Sequence, residues 1–151
     1  YRVSTTVRNV ILSGYFDSIG IYQAVSDRQQ KLVQQWLDIL GIDKRTADAP
    51  FHSLSWGQQR LALIVRALVK HPTLLILDEP TRGIDVGAHA EIIRLIETLC
   101  ADGLALLVIS SELEELVGYA DRVIIMRDRK QVAEIPLDKL SVPAIMNAIA
   151  A

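Results

Sequence analysis

Two adjacent carboxylates, Asp78 and Glu79, directly follow the aliphatic run at 74–77 and precede Pro80. A continuous apolar run that lies between prolines predicts a strand buried on both faces of a parallel sheet. The two carboxylates would then lie at the carboxyl end of this strand, where open α/β sheets place ligands. Carboxylates beside a dry core are costly unless a cation, a proton or hydrogen-bond donors compensate them, so the pair predicts a metal or acid/base site.

A second segment that could do chemistry is LSWGQQ, at residues 54–59. Ser55 and Gln58 have the Ser-x-x-Gln spacing of a capping box, which predicts the start of a helix. The same serine hydroxyl, together with Gly57 and a helix N-terminus, would also suit a phosphate group. Both interpretations stay open on this segment alone.

Hydrophobic periodicity predicts the elements that position these residues. The predicted helices cover 5–12, 27–40, 57–70, 87–100, 113–120 and 142–150, and the predicted strands cover 74–77, 104–109, 123–126 and 131–135, the last being a candidate for antiparallel pairing. This order predicts the α/β fold class. We expect a helical region over residues 1–70, followed over 71–151 by mostly parallel strands flanked by helices.

Composition limits the functional classes. The 151 residues are 50% hydrophobic, enough for one domain with a core, and their formal charge of -2 argues against nucleic acid as a partner. The single cysteine, Cys100, fits a reducing compartment and is expected in the core. No apolar run approaches the ~20 residues that span a bilayer, so we expect a cytoplasmic protein without direct membrane insertion.

The remaining polar residues give weaker signals. The three histidines lack the spacing of metal ligands, so we expect no zinc site. Glu112, Glu114 and Glu115 are expected on the exposed face of their helix, in a first turn that favours negative charge.

Three motifs in the same order and spacing resemble the later part of the ATP-binding cassette of ABC-type ATPases. LSWGQQ at 54–59 resembles the family's LSGGQ signature, LLILDE at 74–79 resembles its Walker B strand, and TRGID at 81–85 resembles the loop that follows. The resemblance covers most of 54–134. It implies part of a P-loop NTPase core of the RecA-like type, preceded by a helical signature subdomain.

The resemblance implies roles for the two carboxylates. Asp78 would hold Mg²⁺, usually through water, and Glu79 would orient and deprotonate the water that attacks the γ-phosphate of ATP. Membrane permease subunits would be partners of the cassette at the inner face of the cell membrane.

The resemblance also implies a second ATPase cassette in a head-to-tail dimer. Ser55, Gly57 and Gln58 would contact the γ-phosphate of a nucleotide held by that cassette, and Asp85 would lie at the interface. For Asp85, a role as the N-cap of the following helix is equally open.

Three departures from the family pattern matter. No G-x-x-x-x-G-K-[ST] occurs in the chain, so we expect an excerpt of a longer protein, with the P-loop upstream of Tyr1, that binds MgATP poorly on its own.

Ser111 stands where many members have a histidine that contacts the γ-phosphate. Its Ser-x-x-Glu spacing with Glu114 favours a capping box instead. Trp56 replaces the first glycine of the signature.

The two parts of the chain resemble different branches of the family. Residues up to about 80 resemble molybdate-type or photorepair-type ABC proteins, and residues from about 81 to 151 resemble the second cassette of a galactofuranose-type sugar importer, so we expect a chimera. The expected function is ATP hydrolysis that drives import of a sugar or another small solute. The alternatives are a soluble, non-transport ABC ATPase of the DNA-repair type and an inactive chimeric or excised folding unit.

Overall fold

The computed structural model of the chain describes residues 5–18 and 20–151. The helices are α1 (Val7–Leu12), α2 (Asp27–Ile39), α3 (Lys44–Ala47), α4 (Trp56–Leu68), α5 (Val86–Ala101), α6 (Leu113–Tyr119) and α7 (Val142–Ala150), and the strands are β1 (Leu74–Asp78), β2 (Ala105–Ile109), β3 (Arg122–Arg127) and β4 (Lys130–Pro136). The α/β class and the position of every predicted helix and strand are confirmed. The short helix α3 was not predicted. Among the described residues, every helix falls short of the length and hydrophobicity that a membrane span requires.

The helices before β1 enclose a core of their own. α1 and α2 pack with the inner face of α4, and Val10, Val33 and Val65 are fully buried there. The guanidinium of Arg66 on α4 donates to Ser13 Oγ at 3.0 Å and to the backbone oxygen of Ser18 at 3.0 Å. These contacts attach α4 to the segment that follows α1.

The central β-α-β unit is formed by β1, α5 and β2. The two strands are parallel, with Leu74 opposite Ala105 and Asp78 opposite Ile109. A second apolar cluster joins the strands to helices α4 and α5: Leu61, Ile64, Leu68, Leu75, Leu77, Ile92, Leu95, Ile96 and Leu99. Both helices therefore lie on the same side of this sheet.

The expectation that β1 is buried on both faces is wrong. Leu75 and Leu77 are 6% and 8% exposed, whereas Leu74 and Ile76 are 51% and 58% exposed. Leu107 on β2 is also exposed. The side chains of a strand alternate between its two faces, and among the described residues the helices cover one face only. An apolar run alone cannot tell one covered face from two.

The last two strands form a separate sheet instead of extending β1 and β2. β3 pairs antiparallel with β4, in agreement with the sequence analysis, which gave residues 131–135 as a candidate for antiparallel pairing. The two strands are joined by a turn at Asp128 and Arg129, both of which have positive φ. Helices α6 and α7 pack against this hairpin through a third cluster that includes Leu116 and Ile145.

The expectation that Cys100 lies in the core is wrong. The cysteine is exposed on α5, next to the buried Leu99. Neighbouring residues of a helix point in directions about 100° apart, so one of such a pair can face solvent while the other packs.

Candidate functional site

Asp78 and Glu79 lie at the carboxyl end of the parallel sheet, where they were predicted. Asp78 is the last residue of β1, and the Glu79 N–H donates to the Ile109 carbonyl at 2.8 Å, which continues the pairing by one residue. The Asp78 side chain is exposed and Glu79 is half-buried. Both carboxylates are thus at an accessible edge of the sheet.

The capping box predicted for Ser111 is wrong. Helix α6 begins after Glu112, whose side chain makes no capping hydrogen bond. The backbone N–H of Glu112 donates to Ser110 Oγ at 3.0 Å. The Ser111 hydroxyl instead donates to Glu79 Oε2 at 3.2 Å. The Glu79 carboxylate is a stronger acceptor than a neutral group, and the structure therefore brings Ser111 to the carboxylate at the end of β1.

Arg60 is a neighbour of Glu79 that sequence reasoning missed. It lies on α4, and its guanidinium Nη1 donates to the Glu79 carbonyl at 2.7 Å. Glu79 itself has φ of 46°, in the left-handed region that non-glycine residues seldom adopt. Arg60 thus connects the helix that begins with the LSWGQQ segment to the turn after β1.

A second set of missed residues lies directly behind this turn. Thr81 is buried, and its hydroxyl donates to Glu115 Oε2 at 2.8 Å. The other oxygen of Glu115 pairs with His89 Nε2. The Glu115 side chain is only 8% exposed, so its expected place on the exposed face of α6 is wrong. Burial and the nearby Glu115 raise the pKa of Tyr119 on the same helix to about 12.

The LSWGQQ segment forms the predicted capping box. Ser55 Oγ accepts from the Gln58 N–H at 3.2 Å, and Gln58 Oε1 accepts from the Ser55 N–H at 3.2 Å. The side chains of Ser55 and Gln58 are exposed, and so is Trp56. The start of α4 therefore has two stabilising hydrogen bonds and a solvent-exposed polar surface.

Gly57 has a packing role. It is buried, and a Cβ added there would lie 2.0 Å from the Ala88 Cβ, closer than real carbon atoms approach. The Asp85 carboxylate accepts from the Ala88 N–H at 3.0 Å, which confirms the N-cap role for Asp85. Gly57 therefore permits the first turns of α4 and α5 to touch, and this contact brings the LSWGQQ segment beside Asp85.

The donor set at the sheet edge fits Mg²⁺ better than a metal that needs a full protein cage. Among the described residues, no group of three or more His, Cys, Asp or Glu side chains could hold a metal ion. Mg²⁺ is commonly bound by one or two carboxylates together with waters and substrate phosphates. The exposed carboxylate of Asp78 could serve in this way.

Comparison with known proteins gives consistent matches. The sequence profile described as ABC transporter matches residues 3–82. The chain is 84% identical over 103 residues to the ABC transporter ATP-binding protein ModF of Escherichia coli K12, covering 68% of this chain and 21% of ModF. It is 72% identical over 149 residues to the galactofuranose transporter ATP-binding protein YtfR of the same organism, covering 98% of this chain and 30% of YtfR.

A solved structure shares the fold. A nucleotide-free ATP-binding cassette from an ABC transporter matches with a TM-score of 0.82 and 22% identity, over 98% of this chain and 60% of that cassette. The chain therefore spans less than a third of ModF or YtfR and about three fifths of that cassette.

Proposed function

Because the chain belongs to the ABC transporter family of ATP-binding cassettes, we propose that it forms part of an ATPase that drives import of a sugar or another small solute. The observation that carries this proposal is the sheet edge, where Asp78 and Glu79 follow β1 and the Ser111 hydroxyl contacts the Glu79 carboxylate at 3.2 Å. Phosphoryl transfer depends on positioned charges and a positioned nucleophile more than on covalent chemistry by the protein. A half-buried carboxylate in contact with a hydroxyl donor suits that task.

Asp78 and Glu79 have different proposed roles. Asp78, exposed at the end of β1, would hold Mg²⁺, which when bound would compensate charge on the phosphates of ATP. Glu79 orients the attacking water and accepts its proton. Ser111 keeps one oxygen of Glu79 in place and faces the γ-phosphate.

The start of α4 has a proposed role toward a second cassette. The exposed Ser55 and Gln58, with the backbone of Gly57, contact the γ-phosphate of ATP held by that partner, and Asp85 lies at the same interface. The helix N-terminus adds a favourable field for an anion. The packing of Gly57 on Ala88 supports the proposal, because it fixes this helix end beside Asp85.

The similarity to the galactofuranose transporter protein, 72% over 149 residues, favours sugar import with membrane permease subunits as partners at the cytoplasmic face of the membrane. The chain is also 84% identical to ModF over 103 residues, and matches to two different ABC proteins support the chimeric origin expected from the sequence. Purification from cells with a permease subunit attached would favour import over a soluble, non-transport role.

The proposal is tested by replacing the matched segment of the galactofuranose transporter protein with this chain. We expect the hybrid to hydrolyse MgATP, and Glu79→Gln to lower the rate by about 10²-fold or more, because general base catalysis contributes roughly that much. Glu97→Gln, at an exposed position on α5, is the matched control and is expected to leave the rate unchanged. Equal rates for these two variants would contradict the role of Glu79.

The isolated chain is expected to behave differently from the hybrid. Its 151 residues contain no G-x-x-x-x-G-K-[ST], whose backbone amides and lysine cradle the phosphates. We therefore predict weak binding of MgATP and negligible hydrolysis. Turnover by the purified chain that Glu79→Gln abolishes would show this prediction to be wrong.

A further inference from the structure

The turn after β1, residues 79–82, is strained and is held by other elements. Glu79 has φ of 46°, and such a conformation in a non-glycine residue costs energy and persists only when its surroundings enforce it. Within the turn, the Arg82 N–H donates to the Glu79 carbonyl over a long 3.3 Å. This one local hydrogen bond is weak, so the turn depends on contacts from outside. We call residues 79–82 the Glu79 turn.

Arg60 holds the Glu79 turn from the side of α4. Its guanidinium donates to the Glu79 carbonyl at 2.7 Å, and the side chain is partly buried in doing so. Withdrawing a cation from water is costly unless it gains strong hydrogen bonds. A short bond from a charged donor is about twice as strong as a neutral one, so this contact fixes the orientation of the peptide that follows Glu79.

Glu115 holds the same turn from the side of α6. Its carboxylate is 8% exposed and accepts from the hydroxyl of the buried Thr81 at 2.8 Å, while His89 pairs with its second oxygen. A buried carboxylate with both oxygens engaged has little freedom to move. Thr81, two residues after Glu79, is therefore attached to the helix that follows Ser111.

We propose that Arg60 and Glu115 are positioning residues that hold the Glu79 carboxylate toward Ser111. No contact with the nucleotide is proposed for either side chain. Arg60 holds the Glu79 carbonyl and Glu115 holds the Thr81 hydroxyl, so loss of either contact lets the backbone of Glu79 relax from its left-handed conformation. The proposal rests on the catalytic role proposed for Glu79. The position of such a group matters, because a displacement of about 1 Å at a reacting group can reduce a rate by about two orders of magnitude.

Amide hydrogen exchange of the whole chain without nucleotide tests the role of Arg60. The reporters are the hydrogen-bonded amides of Glu79 and Arg82, compared with the amide of the buried Ile96 on α5. We expect Arg60→Gln to speed exchange at both reporters by about tenfold, since a hydrogen bond from a charged group is worth roughly that factor. Arg60→Lys, which keeps a charged donor, should restore part of the protection.

Arg66→Gln is the matched control for Arg60. Arg66 is a second partly buried arginine on α4, but it donates to Ser13 and Ser18. We expect this variant to leave the exchange of Glu79 relative to Ile96 unchanged. If Arg60→Gln alters that ratio no more than Arg66→Gln does, Arg60 has no positioning role and this part of the proposal is overturned.

The contact from α6 is tested by Thr81→Val, which removes the hydroxyl that reaches Glu115 with little change of shape. Glu115→Gln tests the carboxylate itself, and Glu114→Gln, on the exposed side of the same helix, is its control. We expect faster exchange at Arg82 for the first two variants and no change for the control. Unchanged exchange in Thr81→Val and Glu115→Gln would overturn the role of Glu115.

The hybrid ATPase separates positioning from general stability. A positioning role predicts that Arg60→Gln lowers kcat about tenfold with KM little changed, and that Arg60→Lys recovers part of the loss. A loss of folded protein would lower the apparent rate without this rescue, and that result would overturn the proposal. The exchange measurement needs no nucleotide, so a failure of the function proposed for Glu79 would show separately, as unchanged hydrolysis in Glu79→Gln.

Discussion

The two turns that carry the candidate residues are built in different ways. The signature turn, residues 55–58, satisfies its own backbone through the Ser55 and Gln58 capping box and packs Gly57 on Ala88. The Glu79 turn has a strained backbone, and its contacts come from α4, β2 and α6. The signature turn is thus stabilised locally, whereas the Glu79 turn depends on the elements around it.

This difference predicts how the two turns respond to mutation. Changes in the signature turn should reduce the free energy of unfolding, because its polar groups and its glycine support the fold. Changes to the Glu79 side chain should remove the proposed chemistry, and a change that relieves the positive φ should increase the free energy of unfolding. Active sites often store strain in this way, and relief of the strain then stabilises the protein.

The largest expected effect is at Gly57. Gly57→Ala places a methyl group 2.0 Å from the Ala88 Cβ, so α4 and α5 must separate. We expect a loss of about 1–3 kcal/mol in the free energy of unfolding, measured by urea denaturation, as for other overpacked cores. Gly118→Ala on α6 is the control, because nothing lies within 4 Å of its added Cβ, and this variant should be stabilised. Equal changes in the free energy of unfolding for the two variants would contradict the packing role of Gly57.

Ser55→Ala should have the next largest effect. Loss of the hydroxyl that accepts from the Gln58 N–H removes one hydrogen bond of the capping box. The expected loss is about 1 kcal/mol, as at other N-caps, and thermal or urea denaturation measures it. Ser55→Asp retains an N-cap acceptor and should restore most of the stability. A loss in Ser55→Asp as large as in Ser55→Ala would show that capping is not the reason.

A change at Glu79 should act in the opposite direction. Glu79→Gly removes the cost of positive φ, and we expect an increase of up to about 1 kcal/mol in the free energy of unfolding. Glu79→Gln retains the strained backbone and should leave stability unchanged. If Glu79→Gly destabilises the protein, the strain at this turn is not relieved by glycine, and the contrast with the signature turn fails.

The smallest change in the free energy of unfolding at neutral pH is expected from a substitution of Tyr119. The pKa of its hydroxyl is about 12 in the folded chain, against a usual 10.0, because of burial and the nearby Glu115. The unfolded chain therefore loses this proton first, and the free energy of unfolding falls as the pH rises from about 10 to about 12.

Tyr119→Phe should reduce this alkaline loss. Part of this loss should persist, because burial also raises the pKa of Tyr15. Below pH 10 the variant should be as stable as the parent or more so, since the Tyr119 hydroxyl is buried without a hydrogen-bond partner among the described residues. Urea denaturation across pH 8 to 11 would measure both parts, and an unchanged alkaline slope would contradict the assignment to Tyr119.

The helices and strands could be predicted from the sequence because apolar spacing and capping residues are local signals. Ser55, followed three residues later by Gln58, begins α4 as the capping pattern predicts. The covered faces of β1 could not be predicted. Leu74 and Leu77 are equally apolar, and only the placement of α4 and α5 makes one exposed and the other buried.

The candidate site could be predicted for the residues that stand at the end of a strand or at the start of a helix. Asp78, Glu79 and Asp85 stand at element ends that the sequence marks. Arg60 and Glu115 were not predictable, because their partners are 19 and 34 residues away and each lies among other charged or polar residues. The same holds for Ser111, whose local capping pattern was outcompeted by the distant Glu79 carboxylate.

We propose that these 151 residues provide the metal-binding and catalytic carboxylates of an ATP site without the phosphate cradle. Calorimetric titration of the folded chain with MgATP is the experiment that we would perform first. We expect no saturable heat of binding from a chain that still unfolds cooperatively. Saturable binding that Asp78→Asn abolishes would contradict it, because the site would then be complete within this chain.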